Sequence, residues 1–522
     1  MTSPIAIVGM GCRLPGSPDL NALRRTVRSG QTPVREVPAS RWDHARFYDP
    51  NPRQPGTSYA RRLASVDDIE QFCPEHFGIL PRRARFMDPQ QRLVLDAARA
   101  AFEDAGLAPE ALSGRRTGVF VGISVSEHYQ LTTARLSAGL MQGGTYGRVP
   151  PGLEEILGPA LENVPPIQAH SMVGQMLNMA AANVAQAFDL RGPALAADSA
   201  CSSALVALGE AVLHLSAGSC DAALVGGVYL ACTPNNMVAF SRIGALSRSE
   251  ACRPFDERAD GFVLGEGAGC LVLERLEDAL AAGHRIWAVV RGVGMNNDGR
   301  GEGPMTPRLE GQVASLEQAY ARAGVSPAEV GLVEAHGTAT RVGDLVESQA
   351  LAEVFGRARR GVTAAPCQIT SIKGNIGHTL AAAGAAGLMN AVLAVADGVV
   401  PPLAGHQRRR SELPLGDAGM EIPTEARPWS APGRRIAGVS SFGFGGTNVH
   451  VVIEEAPGRR SAARARGAAA PAEAPELFLL AAPGPAHMAR YARALAREVA
   501  DSGAPLADIA CTLATRRSDA VR

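Results

Sequence analysis

Two stretches constrain this chain more than any others: Ala197-Asp198-Ser199-Ala200-Cys201-Ser202-Ser203-Ala204-Leu205, and His378-Thr379-Leu380-Ala381-Ala382 with the run that follows it. Each comes after a strand-like run and a turn, and each opens a helix rich in small side chains. Such residues let a helix lie close against a sheet or a second helix, so both stretches belong in a buried layer. They echo each other in composition, which hints at two similar halves. No exact repeat joins them, and duplication and chance are both open on composition alone.

The rest of the pattern is that of an α/β protein. Short apolar runs at 5–8, 118–122, 223–228, 286–290, 332–334 and 449–453 read as strands, and helical patterns lie between them. Helices at 90–105, 202–217 and 312–323 stop at Gly106, Gly218 and Gly324, where glycine can take the left-handed conformation that closes a helix. Residues 379–396 carry no charge but are mostly Ala and Gly with Asn390 inside, which suits a helix buried in protein better than a membrane span. Residues 458–475 are rich in Arg, Ala and Pro, lack apolar periodicity and read as a linker. Beyond it, 476–522 offers one strand at 477–481 and two helical segments, too little to bury a core, so this part is expected to dock on something else.

Charge narrows the function. With 51 basic and 51 acidic residues the chain exerts no long-range pull on nucleic acid or anionic lipid, and Arg408-Arg409-Arg410 reads as a solvated loop. Nine cysteines, at 12, 73, 201, 220, 232, 252, 270, 367 and 511, include no CxxC pair. Neither a disulfide framework nor a metal cluster is indicated, and a reducing compartment is expected. The start, Met1-Thr2-Ser3-Pro4, lacks the basic residues and long apolar core of a secretory signal, so the expectation is a cytoplasmic protein.

Cys201 is the candidate nucleophile. Placed at the first turn of a helix, a thiol meets free backbone N–H groups and the positive end of the dipole, which favour thiolate and can also hold an oxyanion. A buried small hydrophobe is the competing reading of any free cysteine. Two histidines tip the balance: His336 in Val333-Glu334-Ala335-His336-Gly337-Thr338-Ala339-Thr340, and His378 after Ser371-Ile372-Lys373-Gly374-Asn375-Ile376-Gly377. Both stand at strand-to-loop transitions beside glycines, and the hydroxyls of Thr338 and Thr340 can hydrogen-bond an extended polar chain. The glycine-rich Ser440-Ser441-Phe442-Gly443-Phe444-Gly445-Gly446-Thr447-Asn448 reads as a mobile gate; a strand rather than a helix follows it, which argues against phosphate binding. Gly9-Met10-Gly11 follows a strand, but Leu14 and Pro15 spoil the dinucleotide fingerprint.

Taken together, these motifs resemble the ketosynthase (β-ketoacyl synthase) domain of type I polyketide synthases. The match is ordered: residues 5–16, Met87-Asp88-Pro89-Gln90-Gln91-Arg92, the Cys201 stretch, Cys252-Arg253-Pro254-Phe255-Asp256, Ala259-Asp260-Gly261, Asn296-Asn297-Asp298-Gly299, and both histidine motifs. The spacings fit as well, 135 residues from Cys201 to His336 and 42 from His336 to His378. The resemblance implies a thiolase-like fold, two related halves in a layered αβαβα core, usually as a homodimer. The nucleophile half is expected at 1–255 and the half with the histidines and the gating loop at 256–457, followed by the linker at 458–475 and a small α/β linker subdomain at 476–522. That last part resembles the start of a connection to an acyltransferase and stops short at Arg522; no coiled-coil helix precedes Ile5, which favours a chain that begins its own synthase.

For the site, the resemblance implies that Cys201 accepts an acyl group from an acyl carrier protein, with the N–H groups of Cys201 and Phe444 as oxyanion hole and Phe442 beside the gate. His336 and His378 would act on the thioester carbonyl of a malonyl-type extender, promoting loss of CO2 and attack on the acyl group. Lys373, Glu347 and Asn448 would support these groups, and Thr338 and Thr340 would contact pantetheine. No metal and no bound cofactor are implied: the substrates travel on the 4′-phosphopantetheine of the carrier protein, and an acyltransferase, in the same chain or separate, is a partner. Nucleic acid and membrane are not. Ala339 and Leu345 stand where the family pattern has Gly and Pro. The 130–189 segment is longer than usual, and Met172, Met176 and Met179, at helical spacing, read as core or as the lining of an acyl pocket. A degradative thiolase would need a second cysteine in the glycine loop, and a chain-initiating decarboxylase would carry Gln at 201. A non-elongating ketosynthase that only transfers chains or acts as a scaffold usually lacks a catalytic histidine.

Overall fold

A computed structural model of the chain describes residues 4–162, 164–362, 365–430, 433–458, 475–482 and 484–515. The core is one strand arrangement used twice. The first set comprises β1 (Ile5–Arg13), β2 (Thr117–Gly122), β3 (Ala194–Ala197), β4 (Ala222–Tyr229) and β5 (Gly267–Arg275), in the order β3-β2-β4-β5-β1. The second comprises β6 (Ala288–Asn297), β7 (Leu332–Glu334), β8 (Cys367–Thr370), β9 (Ile436–Phe442) and β10 (Thr447–Glu455), in the matching order β8-β7-β9-β10-β6. Directions match too: β2 is parallel to β3 and β4, β7 is parallel to β8 and β9, and the remaining pairs in each set are antiparallel. The sets join where β1 and β6 pair antiparallel over three residues, from Ile5 with Val290 to Ile7 with Ala288. The repeat therefore divides between Arg275 and Ala288, later than the boundary expected at 255–256, because β5 completes the first strand set.

Three apolar clusters fill the four spaces between five layers, the central one lying on both sides of its helices. On β1 the alternation of a strand sends Ala6 and Val8 to one cluster and Ile5 and Ile7 to another. The first cluster lies under α1 (Pro89–Ala105) and α2 (Met179–Ala187). The central one holds α3 (Ser203–Ser216) and α6 (Ala383–Asp397) between the two strand sets. The third lies under α4 (Leu309–Ala323) and α5 (Arg341–Arg359). This is the αβαβα core that the motifs implied.

Glycines explain how close the layers come. Gly9 and Gly11 of β1 sit under α1, where an added Cβ would collide with the backbone of Ala101. Gly292 and Gly294 of β6 sit in the same way under Ala319 and Ser315 of α4. The Gly9-Met10-Gly11 motif thus serves packing, and the same device recurs in the second half. The small residues of α3 and α6 have the role expected of them: a Cβ on Gly384 would lie 2.8 Å from Leu205 Cγ. Residues 380–397 are long and apolar enough to cross a membrane by length and composition, yet 94% of that helix is buried inside the fold.

At the C-terminal end, 475–482 pairs with no strand and leaves Leu477 and Leu479 exposed, so 477–481 is not the strand expected. The two helical segments are present as α7 (Pro485–Ser502) and α8 (Leu506–Thr515). The expected linker lies, over 459–474, outside the described residues.

Candidate active site

Between β3 and α3 the chain turns sharply. Ala200 has φ +53°, a left-handed conformation unusual for a residue with a Cβ, and a 3-10 turn over Ala200–Ser202 leads into the helix. Serines knit the turn together: Ser203 Oγ accepts from Ser199 N–H at 3.0 Å and donates to Ala200 O at 2.6 Å, and Ser202 Oγ donates to Ser199 O at 2.9 Å. Cys201 therefore stands in the 3-10 turn that opens the helix and runs directly into α3, with its thiol buried. The N–H groups of Phe444 and of Cys201 itself lie beside the sulfur and favour its anion, as does the Lys373 charge. Burial nevertheless pushes the thiol up to about 11, outweighing the Lys373 charge and both N–H groups. The expected preference for thiolate does not hold in the resting site, because removal from water exceeds what the donors and the charge return.

His378 follows Gly377, whose φ is +68°. Its Nδ1 accepts from the Leu380 N–H at 3.2 Å, which leaves the ring proton on Nε2. His336 follows β7, held by its main chain: the N–H groups of His336 and Gly337 donate to the two oxygens of Glu347 at 2.7 and 2.8 Å. The two imidazoles meet edge to face with centroids 5.6 Å apart, and the Phe442 ring lies 5.6 Å from His336. Burial first, then the Lys373 charge, holds both rings well below the usual histidine range, so both are neutral at neutral pH.

The supporting groups are buried as well. Burial draws the Lys373 amine below its ordinary value, against the pull of Glu334 and Glu347. The expected pairing of Lys373 with Glu347 is not a direct one: both Glu347 oxygens are taken by backbone N–H groups, and among the described residues no ion pair closes between the two. The carboxylate with the strongest influence on Lys373 is Glu334, which sequence reasoning missed. It accepts from Thr370 Oγ1, Ile372 N–H and Asn390 Nδ2 at 2.7, 2.6 and 2.8 Å. Asp344 was also missed as a functional residue; it accepts from Phe255 N–H at 2.6 Å and Ala339 N–H at 3.0 Å and so fixes the loop after His336. Ala339 has φ +58°, which explains why a glycine suits that position. Asn448 lies at the foot of the gate loop, where its Nδ2 reaches Asp298 Oδ1 at 2.7 Å, Asn296 Oδ1 at 3.1 Å and Gly446 O at 3.2 Å.

One cavity of about 790 Å³ collects Cys201, His336, His378, Thr338, Thr340, Glu347, Phe442, Phe444 and Asn448. The hydroxyls of Thr338 and Thr340 lie 2.9 Å apart on its wall. Lys373 stays behind it, acting through its charge. The three methionines are not among the residues lining it. Met172 is exposed on a helix that ends at Gln175, Met176 follows in extended backbone and Met179 begins α2. Helical spacing in the sequence therefore does not put them on one helix face, and within this chain neither the core nor the acyl-pocket reading holds for Met172.

Residues 2–279 match the family model for the β-ketoacyl synthase N-terminal domain. The chain belongs to the β-ketoacyl synthase family. Residues 287–407 match the C-terminal domain of these synthases, and 410–519 match the ketoacyl-synthetase C-terminal extension. The gap between the first two falls where the strand repeat divides. The spectinabilin polyketide synthase system protein NorC of Streptomyces orinoci is 41% identical over 459 residues, 87% of this chain and 19% of that protein. Erythronolide synthase EryA2 of Saccharopolyspora erythraea is 40% identical over 99% of this chain and 14% of its own length. This ketosynthase thus spans a fifth or less of these relatives. Among solved structures, the ketosynthase from module 6 of the bacillaene synthase of Bacillus subtilis 168 superposes with a TM-score of 0.84 at 33% identity, covering 99% of this chain and 81% of that one. The oxazolomycin ketosynthase domain OzmH KS7 of Streptomyces albus JA3453 does so with 0.84 at 34% identity, covering 98% and 84%. The thiolase-like fold and the ketosynthase class follow.

Proposed function

We propose that this ketosynthase extends polyketide chains by decarboxylative condensation. The acyl chain arrives as a thioester on the phosphopantetheine of an acyl carrier protein, with Thr338 and Thr340 along the arm. Cys201 loses its proton as its sulfur attacks the carbonyl, and the N–H groups of Cys201 and Phe444 hold the oxyanion. The pantetheine sulfur leaves and takes up a proton. A malonyl-type thioester follows. As its bond to the carboxylate breaks and CO2 departs, the electron pair moves into an enolate whose oxygen accepts hydrogen bonds from the neutral imidazoles, from Nε2–H in the case of His378. The enolate carbon then attacks the Cys201 acyl carbonyl, and the cysteine sulfur leaves. No metal is required by this sequence, because decarboxylation supplies the carbanion.

The observation that carries the reading is the shared cavity, with two neutral imidazoles in edge-to-face contact facing a buried thiol beside paired N–H donors. A dimer and an acyltransferase complete the proposal: β3 is a sheet edge with Leu195 44% exposed, suited to pairing with a second copy, and the acyltransferase loads the extender. The test is incubation with an acyl thioester and malonyl-carrier protein. A chain longer by one extender unit supports it; acyl-enzyme with no extension overturns it in favour of a transfer-only protein.

A further inference from the structure

The two N–H groups that face the Cys201 sulfur belong to different halves of the molecule. That of Cys201 comes from the turn after β3, and that of Phe444 from the loop between β9 and β10. Their separation depends on how the halves seat against each other. Gly443 sets the closest approach: a Cβ there would collide with Ser199 O and lie 2.8 Å from Ser202 Oγ. That contact only pushes the halves apart, so an attraction must hold them.

We propose that Ser441 is a positioning residue for the oxyanion hole, its hydroxyl on β9 donating to the carbonyl oxygen of Cys201 at 2.7 Å and thereby tying the nucleophile turn to the strand that carries the gate. The inference rests on the proposed role of Cys201. Ser441 is fully buried, and among the described residues no other hydrogen bond joins the backbone of that turn to β9 or its loop. The far side of the loop is secured without it, by Gly445 N–H to Pro304 O at 2.7 Å and Asp298 N–H to Gly446 O at 2.9 Å. The imidazoles are also secured without it, through Glu347 and the Leu380 N–H. Loss of the hydroxyl therefore loosens one wall of the oxyanion hole while sparing the histidines.

The experiment measures two half-reactions in the full chain, acylation of Cys201 by an acyl thioester and decarboxylation of malonyl-carrier protein without acyl donor. Ser441→Ala is expected to slow acylation by about tenfold to a hundredfold, the scale of a displaced transition-state donor, while decarboxylation stays within about threefold. Ser441→Thr, which keeps the hydroxyl, is expected to restore acylation; Ser441→Val, with the shape of Thr but no hydroxyl, is not. Equal acylation by Thr and Val variants, or wild-type acylation by the Ala variant, overturns the inference, and the Thr and Val pair decides if the Ala variant does not fold. Failure of the wild-type chain to acylate Cys201 would instead strike the proposed function.

Discussion

Gly227→Ala is a severe test of the idea that packing at the centre of the molecule sets the distance between nucleophile and histidine. Gly227 lies on β4 and faces the starts of both central helices. A Cβ there would fall 2.7 Å from Ala381 O, 2.8 Å from Ala204 Cβ and 3.0 Å from Ala382 Cα. Carbon pairs rest at about 3.5–4.0 Å, so the first turn of α3 and the turn after His378 must part by about 0.7–1 Å. Ala204 is three residues beyond Cys201 and Ala381 three beyond His378, so the strain passes directly to the reacting groups. Overpacking of this kind costs about 1–3 kcal/mol of stability, and a misplacement near 1 Å costs about a hundredfold in rate. The expected variant is folded, melts a few degrees lower by circular dichroism and condenses about thirtyfold to a hundredfold more slowly. Its malonyl decarboxylation, which does not need Cys201, falls much less. A folded variant with an unchanged melting temperature and full condensation activity would refute the reasoning.

Other consequences concern pH and the loop. Because burial places the Cys201 thiol at about 11, its alkylation by iodoacetamide, followed on the Cys201 peptide, should rise about tenfold per pH unit from 7 to 10; a plateau below pH 9 contradicts this. Both imidazoles are held well below the usual histidine range, so if they serve as neutral donors as proposed, malonyl decarboxylation should be flat from pH 8 to 6.5 and decline only at pH well below that. Loss of half the rate at pH 6.5 would mean ordinary imidazoles. Asn448→Ala removes the donor shared by Asp298, Asn296 and Gly446, and is expected to lower stability by about 1–3 kcal/mol in urea unfolding and to slow Cys201 acylation; unchanged values would remove Asn448 from the support of the loop.

Much of the architecture was legible because its rules are local. The Cys201 and His378 stretches are rich in small residues for the reason inferred, close contact at the central layer, and β7 runs over the three residues expected. Other strands were hidden. β5 opens with Gly267-Ala268-Gly269, and β9 carries Ser440 and Ser441, buried polar residues satisfied by His450 and by Cys201 O, so neither reads as an apolar run. The candidate residues that share the cavity could be singled out because cysteine at a helix start and histidine beside glycine are conspicuous. The resting state of the thiol could not, since it depends on burial by parts of the chain distant in sequence, which outweighs the opposing pull of Lys373 and Phe444. Glu334 was overlooked for a similar reason: next to His336 in a motif it looks like one more polar residue, and its partners Thr370, Ile372 and Asn390 come from separate elements. The methionines misled because spacing says nothing about where a helix stops.

The most direct measurement of the central claim is a timed chase read by peptide mass spectrometry. The chain is loaded with an acyl thioester and then mixed with malonyl-carrier protein. The account predicts an acyl group on the Cys201 peptide that disappears as fast as the lengthened chain forms on the carrier protein. Acyl label on another residue, or on Cys201 but persisting while product accumulates, would contradict it.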